Sequence, residues 1–202
     1  MHIPDGYISP ATAAIAFGTA APFWYQASRK TKELLRSEAA PMVALFAAFS
    51  FTIQMFNIPL PGGTTGHAVG GTLVAVALGP WPAVVAVSTA LVIQALFFGV
   101  GGITAIGANS FNMAIALPLI GYAVYRLGAG RAPSARRQVL AAAAGAYAGI
   151  NVAGLLTALE LGIQPLLWSE GGRALYSPYG LELTVPAMMA AHLTIAGFAE
   201  AA

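Results

Sequence analysis

The chain begins Met1-His2, and that pair alone can supply most of a metal site. A free α-amine, the His2 amide nitrogen and the His2 imidazole Nδ1 can all reach one ion. Amine and amide close a five-membered chelate ring, and amide and Nδ1 close a six-membered one. The three nitrogens lie nearly in a plane and leave one equatorial corner open. Ni(II) and Cu(II) favour tetragonal nitrogen sites and both displace an amide proton, with Co(II) a third guest. Methionine aminopeptidase clears Met only before a small residue, and position 2 is His. The first ten residues carry Pro4, Asp5, Gly6 and Pro10 and lack the basic start and cleavage run of a signal peptide. An intact Met1-His2 terminus on the outer face of a membrane is therefore the expected mature state.

The chain has three histidines. His67 follows the glycine-rich run Pro61-Gly62-Gly63-Thr64-Thr65-Gly66 and precedes Ala68-Val69-Gly70-Gly71, where glycines let backbone approach a ligand closely. His67 would complete a four-nitrogen plane. Taken singly, His67 also reads as a helix-start residue bonded to a carbonyl, and His2 as an exposed terminal residue. Together on one face they read as a metal pair. Asn109 and Asn112 follow Gly107 at the same depth, and Asp5 lies beside the terminus; each is a candidate to support the ligands from behind, since a ligating imidazole usually needs a partner for its other nitrogen. Gln54, Gln94 and Asn151 read as hydrogen bonds between helices, and His192 as a packing histidine near mid-membrane.

These groups must be positioned by elements that lie in lipid. The 202 residues are 58% hydrophobic before the 23 glycines are counted, and 8% charged, against about 25% charged in soluble domains. That excludes a soluble enzyme, a disordered chain and a nucleic-acid binder, and makes the bilayer the first partner. Apolar runs long enough to cross about 30 Å of hydrocarbon span residues 7–27, 39–58, 81–100, 109–127, 139–161 and 183–202. A seventh, 66–78, is short. The charges decide whether it crosses. Arg29, Lys30, Lys32 and Arg36 form one basic cluster, and Arg126, Arg131, Arg136 and Arg137 another. Both read as short loops, and such loops stay cytoplasmic. An even number of crossings must then separate them, which requires residues 66–78 to cross. Arg173 shares a loop with Glu160, Glu170 and Glu182. The fold expected is all-α: a polytopic integral membrane protein of about seven transmembrane helices, N-terminus outside and C-terminus inside. The whole of 1–202 reads as a single transmembrane substrate-binding domain, with 1–10 a metal-chelating segment inserted at the outer face. Gly145-x3-Gly149 reads as a surface for close helix approach, and Ala16-x3-Ala20 as a weaker one that would suit a partner subunit equally well.

Other chemistries lack their residues. The loop 61–71 has no Lys, so it is no phosphate-binding P-loop. No Gly-x-Ser-x-Gly elbow or His-Glu-x-x-His helix occurs, and with no cysteine there is no disulfide, thiolate ligand or thiol nucleophile. No enzyme activity and no catalytic cofactor is expected. A stand-alone divalent-cation channel or secondary carrier is the competing class; against it, the interiors of the apolar spans hold no carboxylate before Glu200, Glu160 falling at the very end of 139–161.

The strings Met1-His2-Ile3-Pro4-Asp5-Gly6-Tyr7, Phe56-Asn57-Ile58-Pro59-Leu60-Pro61 through His67, Leu78-Gly79-Pro80-Trp81, Gln94 to Gly99 and Gly101 to Asn112 resemble the CbiM/NikM family. Its members are the membrane substrate-binding (S) subunits of energy-coupling-factor importers for cobalt and nickel, and the resemblance runs from residue 1 to about 200. The N-terminus is similar to that of the nickel-type members. The resemblance implies a square plane from the Met1 amine, the His2 amide and imidazole and the His67 imidazole, with Ni(II) or Co(II) as transported substrate. It implies a subunit without its own ATPase, in the prokaryotic inner membrane, that works with a coupling transmembrane (T) subunit, two ABC ATPase subunits and sometimes a small helper membrane subunit. Two departures stand out. Val100 occupies a position where family members usually carry Asp or His, and the last helix reads Gly197-Phe198-Ala199-Glu200 where the family continues past a Gly-Pro-x-Glu-like stretch.

Overall fold

The computed structural model describes residues 1–60, 64–131 and 134–202; Pro61, Gly62 and Gly63 of the glycine-rich run lie outside them. Seven helices are present among the described residues: α1 Pro10–Arg36, α2 Ala40–Gln54, α3 Gly71–Leu78, α4 Pro80–Phe98, α5 Ile106–Ala129, α6 Ala135–Leu167 and α7 Leu181–Ala201. Four of them, α4 to α7, are long and apolar enough to cross a membrane, and α2 is apolar but has 15 residues. Two short antiparallel hairpins interrupt the all-α plan. Strands β1 Ile58–Leu60 and β2 Thr64–Gly66 pair with Ile58 opposite Gly66, and β3 Ser169–Glu170 pairs with β4 Arg173–Ala174.

Helix α1 starts where the sequence provides a cap. The Ser9 hydroxyl accepts the Thr12 N–H at 3.0 Å, and Pro10 takes the first helical position, where its missing N–H costs nothing. At its other end the helix runs on through Arg36. The first basic cluster is therefore not a loop but the end of α1. Lys and Arg there oppose the negative end of the helix dipole, and the residues 30–36 are good enough helix formers to extend it. Lys30 Nζ sits 4.9 Å over the ring of Trp81 at the start of α4. In the second cluster Arg126 belongs to α5, and Arg136 and Arg137 to the first turn of α6. Glu160 and Glu182 likewise leave the expected loop and lie within α6 and α7.

Small residues set the helix spacing. A Cβ added at Gly145 would lie 2.4 Å from the Gly121 carbonyl oxygen, and one at Gly149 2.6 Å from that of Leu117. The Gly145-x3-Gly149 face of α6 is thus filled by α5. Ala20 is fully buried against Val84 and Ile115, so that end of the Ala16-x3-Ala20 face is spent inside the chain. Large apolar side chains such as Leu127 and Phe97 point outward, 83% and 76% exposed, as lipid-facing residues would.

Three of the long helices contain π turns: Gln94–Phe98 in α4, Ser110–Ala116 in α5 and His192–Ala196 in α7. Each adds a residue to one turn and rotates the side chains around it. Such turns gather at functional positions, and here they carry Gln94, Asn112 and His192.

Candidate metal centre

The segment 1–9 is not helical. It enters the bundle beside the outgoing end of α4 and the start of α5, and its backbone is held by side chains from elsewhere. Ile3 is the anchor: fully buried with Ile8, Ala105 and Ala108, it donates its N–H to Asn109 Oδ1 at 2.8 Å. Its carbonyl accepts from Asn109 Nδ2 at 3.0 Å and from the Gly102 N–H at 2.9 Å. One amide side chain so imitates a paired strand. Asp5 accepts from the Ile103 N–H at 3.1 Å, the Thr104 N–H at 2.8 Å and the Thr104 hydroxyl. The Thr104 bonds, ahead of that from Ile103, hold its carboxyl below the usual range. At the end of the segment, Ser9 N–H donates to Gln164 Oε1 at 3.0 Å.

This grip carries Met1 and His2 inward. Met1 is buried with Val69, Val87, Leu91, Met113 and Ile150. The Thr157 hydroxyl lies 3.5 Å from the Met1 carbonyl, and Asn112 Nδ2 donates to Thr157 Oγ1 at 3.1 Å and to Glu160 Oε2 at 2.6 Å. The imidazole of His2 meets Gln94, whose Oε1 lies 3.0 Å from Nε2, while Gln94 Nε2 is directed at the Phe51 carbonyl at 3.4 Å. An amide donating its nitrogen to a carbonyl presents its oxygen to the ring. His2 therefore carries its proton on Nε2 and keeps Nδ1 bare.

His67 approaches from the loop between β2 and α3. Its Nδ1 lies 3.2 Å from the Ala68 carbonyl, which only accepts, so the proton belongs on Nδ1 and Nε2 is left bare. The two bare nitrogens, His67 Nε2 and His2 Nδ1, face one another at 3.0 Å, with ring centroids 4.8 Å apart. Opposed lone pairs repel unless a cation lies within reach of both. With metal–nitrogen bonds of about 2.0–2.1 Å, neighbouring corners of a square plane are about 2.8–3.0 Å apart. The spacing is that of two adjacent equatorial ligands.

Electrostatics favour the same use. Burial lowers the Met1 amine to about 6. It lowers His2 to about 4, assisted by the neighbouring amine and opposed by the Gln94 bond. His67 falls well below its ordinary value through burial first, then the nearby His2 and the amine. Near pH 7 these nitrogens are neutral donors in an apolar setting. No group of three or more His, Cys, Asp or Glu side chains suited to a metal occurs among the described residues.

Of the residues singled out by sequence, Met1, His2, His67, Asp5 and Asn109 converge around one segment. Asn109 supports it through the Ile3 backbone rather than through an imidazole, and Asn112 reaches it by way of Thr157. Gln94, read as a helix-to-helix bond, is the imidazole partner. Two carboxylates outside the candidate set join it: Glu160, which reads as part of a loop, accepts from Asn112, and Glu200, which reads only as a carboxylate in the last span, accepts from the Val69 and Gly70 N–H groups. A carboxylate on an apolar helix face is the signal for both. His192 lies behind His67 on α7, its Nδ1 2.8 Å from the Met188 carbonyl.

Comparison with known proteins follows the same lines. The family model for cobalt-uptake substrate-specific transmembrane regions, CbiM, matches residues 2–202. The chain is 56% identical over 202 residues to a fused nickel transport protein, NikMN, of Rhodobacter capsulatus, covering 99% of this chain and 58% of that protein. It is 50% identical over 203 residues to a probable fused nickel transport protein, LarMN, of Lactiplantibacillus plantarum, covering 99% and 61%. The chain thus spans about three fifths of the length of these relatives. A crystal structure of a truncated transition metal transporter superposes with a TM-score of 0.93 at 51% identity, over 100% of this chain and 93% of that one.

Proposed function

The chain belongs to the CbiM family, and from that premise we propose that it captures Ni(II) or Co(II) at the outer face of a prokaryotic membrane and delivers it inward as the substrate-binding subunit of an ATP-driven energy-coupling-factor importer. The observation that carries the reading is the pair of bare imidazole nitrogens, His2 Nδ1 and His67 Nε2, 3.0 Å apart beside the buried N-terminus. In the bound state the Met1 amine, the His2 amide nitrogen, His2 Nδ1 and His67 Nε2 are the four corners. Asp5, Asn109 and Asn112 hold the segment that bears three of them. A planar four-nitrogen set favours Ni(II) over Co(II), in keeping with the nickel transport named for the two relatives.

The membrane arrangement belongs to the same proposal. The chain crosses seven times, with α1 and the short helices α2 and α3 added to the four long apolar ones, N-terminus outside and C-terminus inside. Two features support it. The end of α1 meets the start of α4 through Lys30 and Trp81. The far end of α4 and the start of α5 grip segment 1–9, so both basic clusters occupy the bundle end opposite Met1, as positive loops on the inner side require. The energy source is supplied by partners: a coupling transmembrane subunit and two ABC ATPases, with or without a small helper membrane subunit.

Uptake of Ni(II) into proteoliposomes tests the transport class. Uptake that requires the ATPases and ATP is expected; accumulation by this chain alone, without ATP, would establish a self-sufficient channel or carrier instead.

A further inference from the structure

The last turn of α7 reaches the peptide that carries His67. Glu200 Oε2 accepts from the Val69 N–H at 2.5 Å and from the Gly70 N–H at 3.0 Å, the second and third residues beyond the imidazole. From the other side the Ser50 hydroxyl donates to the Val69 carbonyl at 2.8 Å, and Gln54 Nε2 donates to Ser50 Oγ at 3.0 Å. Gly70 adopts φ +72°, and a Cβ there would lie 2.5 Å from Phe49 Cε1, so the chain is wedged between α2 and the carboxylate. Val69 therefore has both of its backbone groups bonded to side chains from two different helices, and His67 lies two residues before that fixed point.

A carboxylate is an expensive way to satisfy two backbone N–H groups. Its other oxygen, Oε1, is buried with no hydrogen-bond partner, and a buried charge is tolerated only where its surroundings compensate for lost water. The aligned N–H groups at the start of α3 supply part of that compensation. A neutral acceptor would satisfy the same two donors, so the hydrogen bonds rather than the charge are what the His67 peptide needs.

We infer that Glu200 is a positioning residue for the fourth equatorial nitrogen: it fixes the His67 peptide so that Nε2 closes the plane, and it ties that corner of the cation's seat to the last helix. The inference rests on the reading of Met1, His2 and His67 as ligands. Its consequence is mechanical. A displacement of the last turn of α7 frees the Val69–Gly70 peptide and opens one corner, while the amine, amide and His2 nitrogens stay joined by their chelate rings. Loss of a bracing partner of this kind typically weakens metal binding by about 10–100-fold.

The test uses the full chain in detergent, loaded with Cu(II), whose EPR superhyperfine pattern counts equatorial nitrogens, and with Ni(II) for the rate of metal loss to a chelator. His67→Ala is expected to reduce four nitrogens to three. Glu200→Met, which keeps the length of the side chain without an acceptor, is expected to give the same three-nitrogen pattern and about 10–100-fold faster Ni(II) loss. Glu200→Gln, whose amide oxygen still accepts both N–H groups, is expected to retain four nitrogens. The double variant should match His67→Ala alone. A folded Glu200→Met protein with four nitrogens and the parental rate overturns the role of Glu200 while leaving the ligand set intact. Additional loss in the double variant also overturns it, because Glu200 would then act on the chelate by another route. If His67→Ala itself keeps four nitrogens, the ligand reading fails and this inference fails with it. Should Glu200→Met not fold, Glu200→Ala measured against Glu200→Gln decides the same point.

Discussion

Two segments without helical structure meet at the centre, residues 1–9 and the loop 66–70, and they differ in how their nitrogens are tied to one another. The N-terminal segment makes few bonds within itself. Its fixity comes from Asn109 clasping both sides of Ile3, from Gly102, from Gln164 at Ser9 and from the bonds Asp5 accepts from Ile103 and Thr104. The His67 loop is likewise held by its backbone, through Ser50 and Glu200 on Val69 and Gly70. The first segment carries candidate nitrogens already joined by the covalent bonds of two adjacent residues, so its neighbours need only deliver it. The second carries one nitrogen with no covalent link to the others, so tertiary structure alone sets its position. Damage to the two should differ in kind: all-or-none for the chelate, graded for its supports.

The largest effect expected is from adding one residue before Met1. The amine then leaves the chelate, and Ni(II) co-purifying with the protein should fall to trace levels by elemental analysis; undiminished nickel would refute the amine as a ligand. Next is Asn109→Ala. It removes two bonds to Ile3, each worth about 0.5–1.5 kcal/mol net, and leaves the Ile3 N–H unpaired in a buried position. A drop in Ni(II) affinity of about 10–100-fold is expected by competition titration, with the four-nitrogen spectrum preserved in whatever metal is bound. Gln94→Leu should cost about tenfold. It frees His2 to exchange tautomers, which would show in the imidazole NMR shifts of the metal-free protein; an unchanged tautomer would mean that Gln94 does not set it.

The pH profile sharpens the contrast further. Metal binding must expel the amide proton at any pH, so affinity should rise by about one decade per pH unit above about 6. Below about 6, where the Met1 amine is protonated, a second proton must leave and the slope should steepen to about two decades per unit. Affinity therefore falls faster as acid is added, and a single slope across pH 5 to about 8 would show that the amine does not titrate at the site. The smallest effect belongs to Asp5→Asn. Asp5 is exposed and the amide keeps an acceptor for Thr104, so affinity should stay within about threefold; a much larger loss would make the charge itself part of the site.

Much of this plan was legible in the sequence. The ratio of apolar to charged residues required a membrane, and the Gly145-x3-Gly149 pattern named a close helix contact. Met1-His2 and His67 were legible as candidate ligands because the residue types and a terminal amine define their chemistry locally. The helix ends were less so. Arg29 to Arg36 read as a loop because charge was taken to end the helix, whereas a helix leaving the lipid continues through Lys, Glu and Leu without penalty. Asn109 was seen, but not that it would bind backbone, since nothing in the sequence shows that segment 1–9 folds back onto residues 102–109.

The sequence by itself determined the solvent, the apolar helices and the donor set of the proposed three-nitrogen chelate, because each depends on composition or on covalently adjacent atoms. Only the tertiary structure decided what closes and braces that chelate. His67 reaches His2 across 65 residues, Gln94 reaches it across 92, and Glu200 reaches Val69 across 131. Gln94 and His192 each lie in a π turn, and a one-residue rotation of a helix face leaves no mark in a 3.6-residue pattern. Bonds over such separations are chosen by how the helices pack, and that choice is made by the whole chain at once.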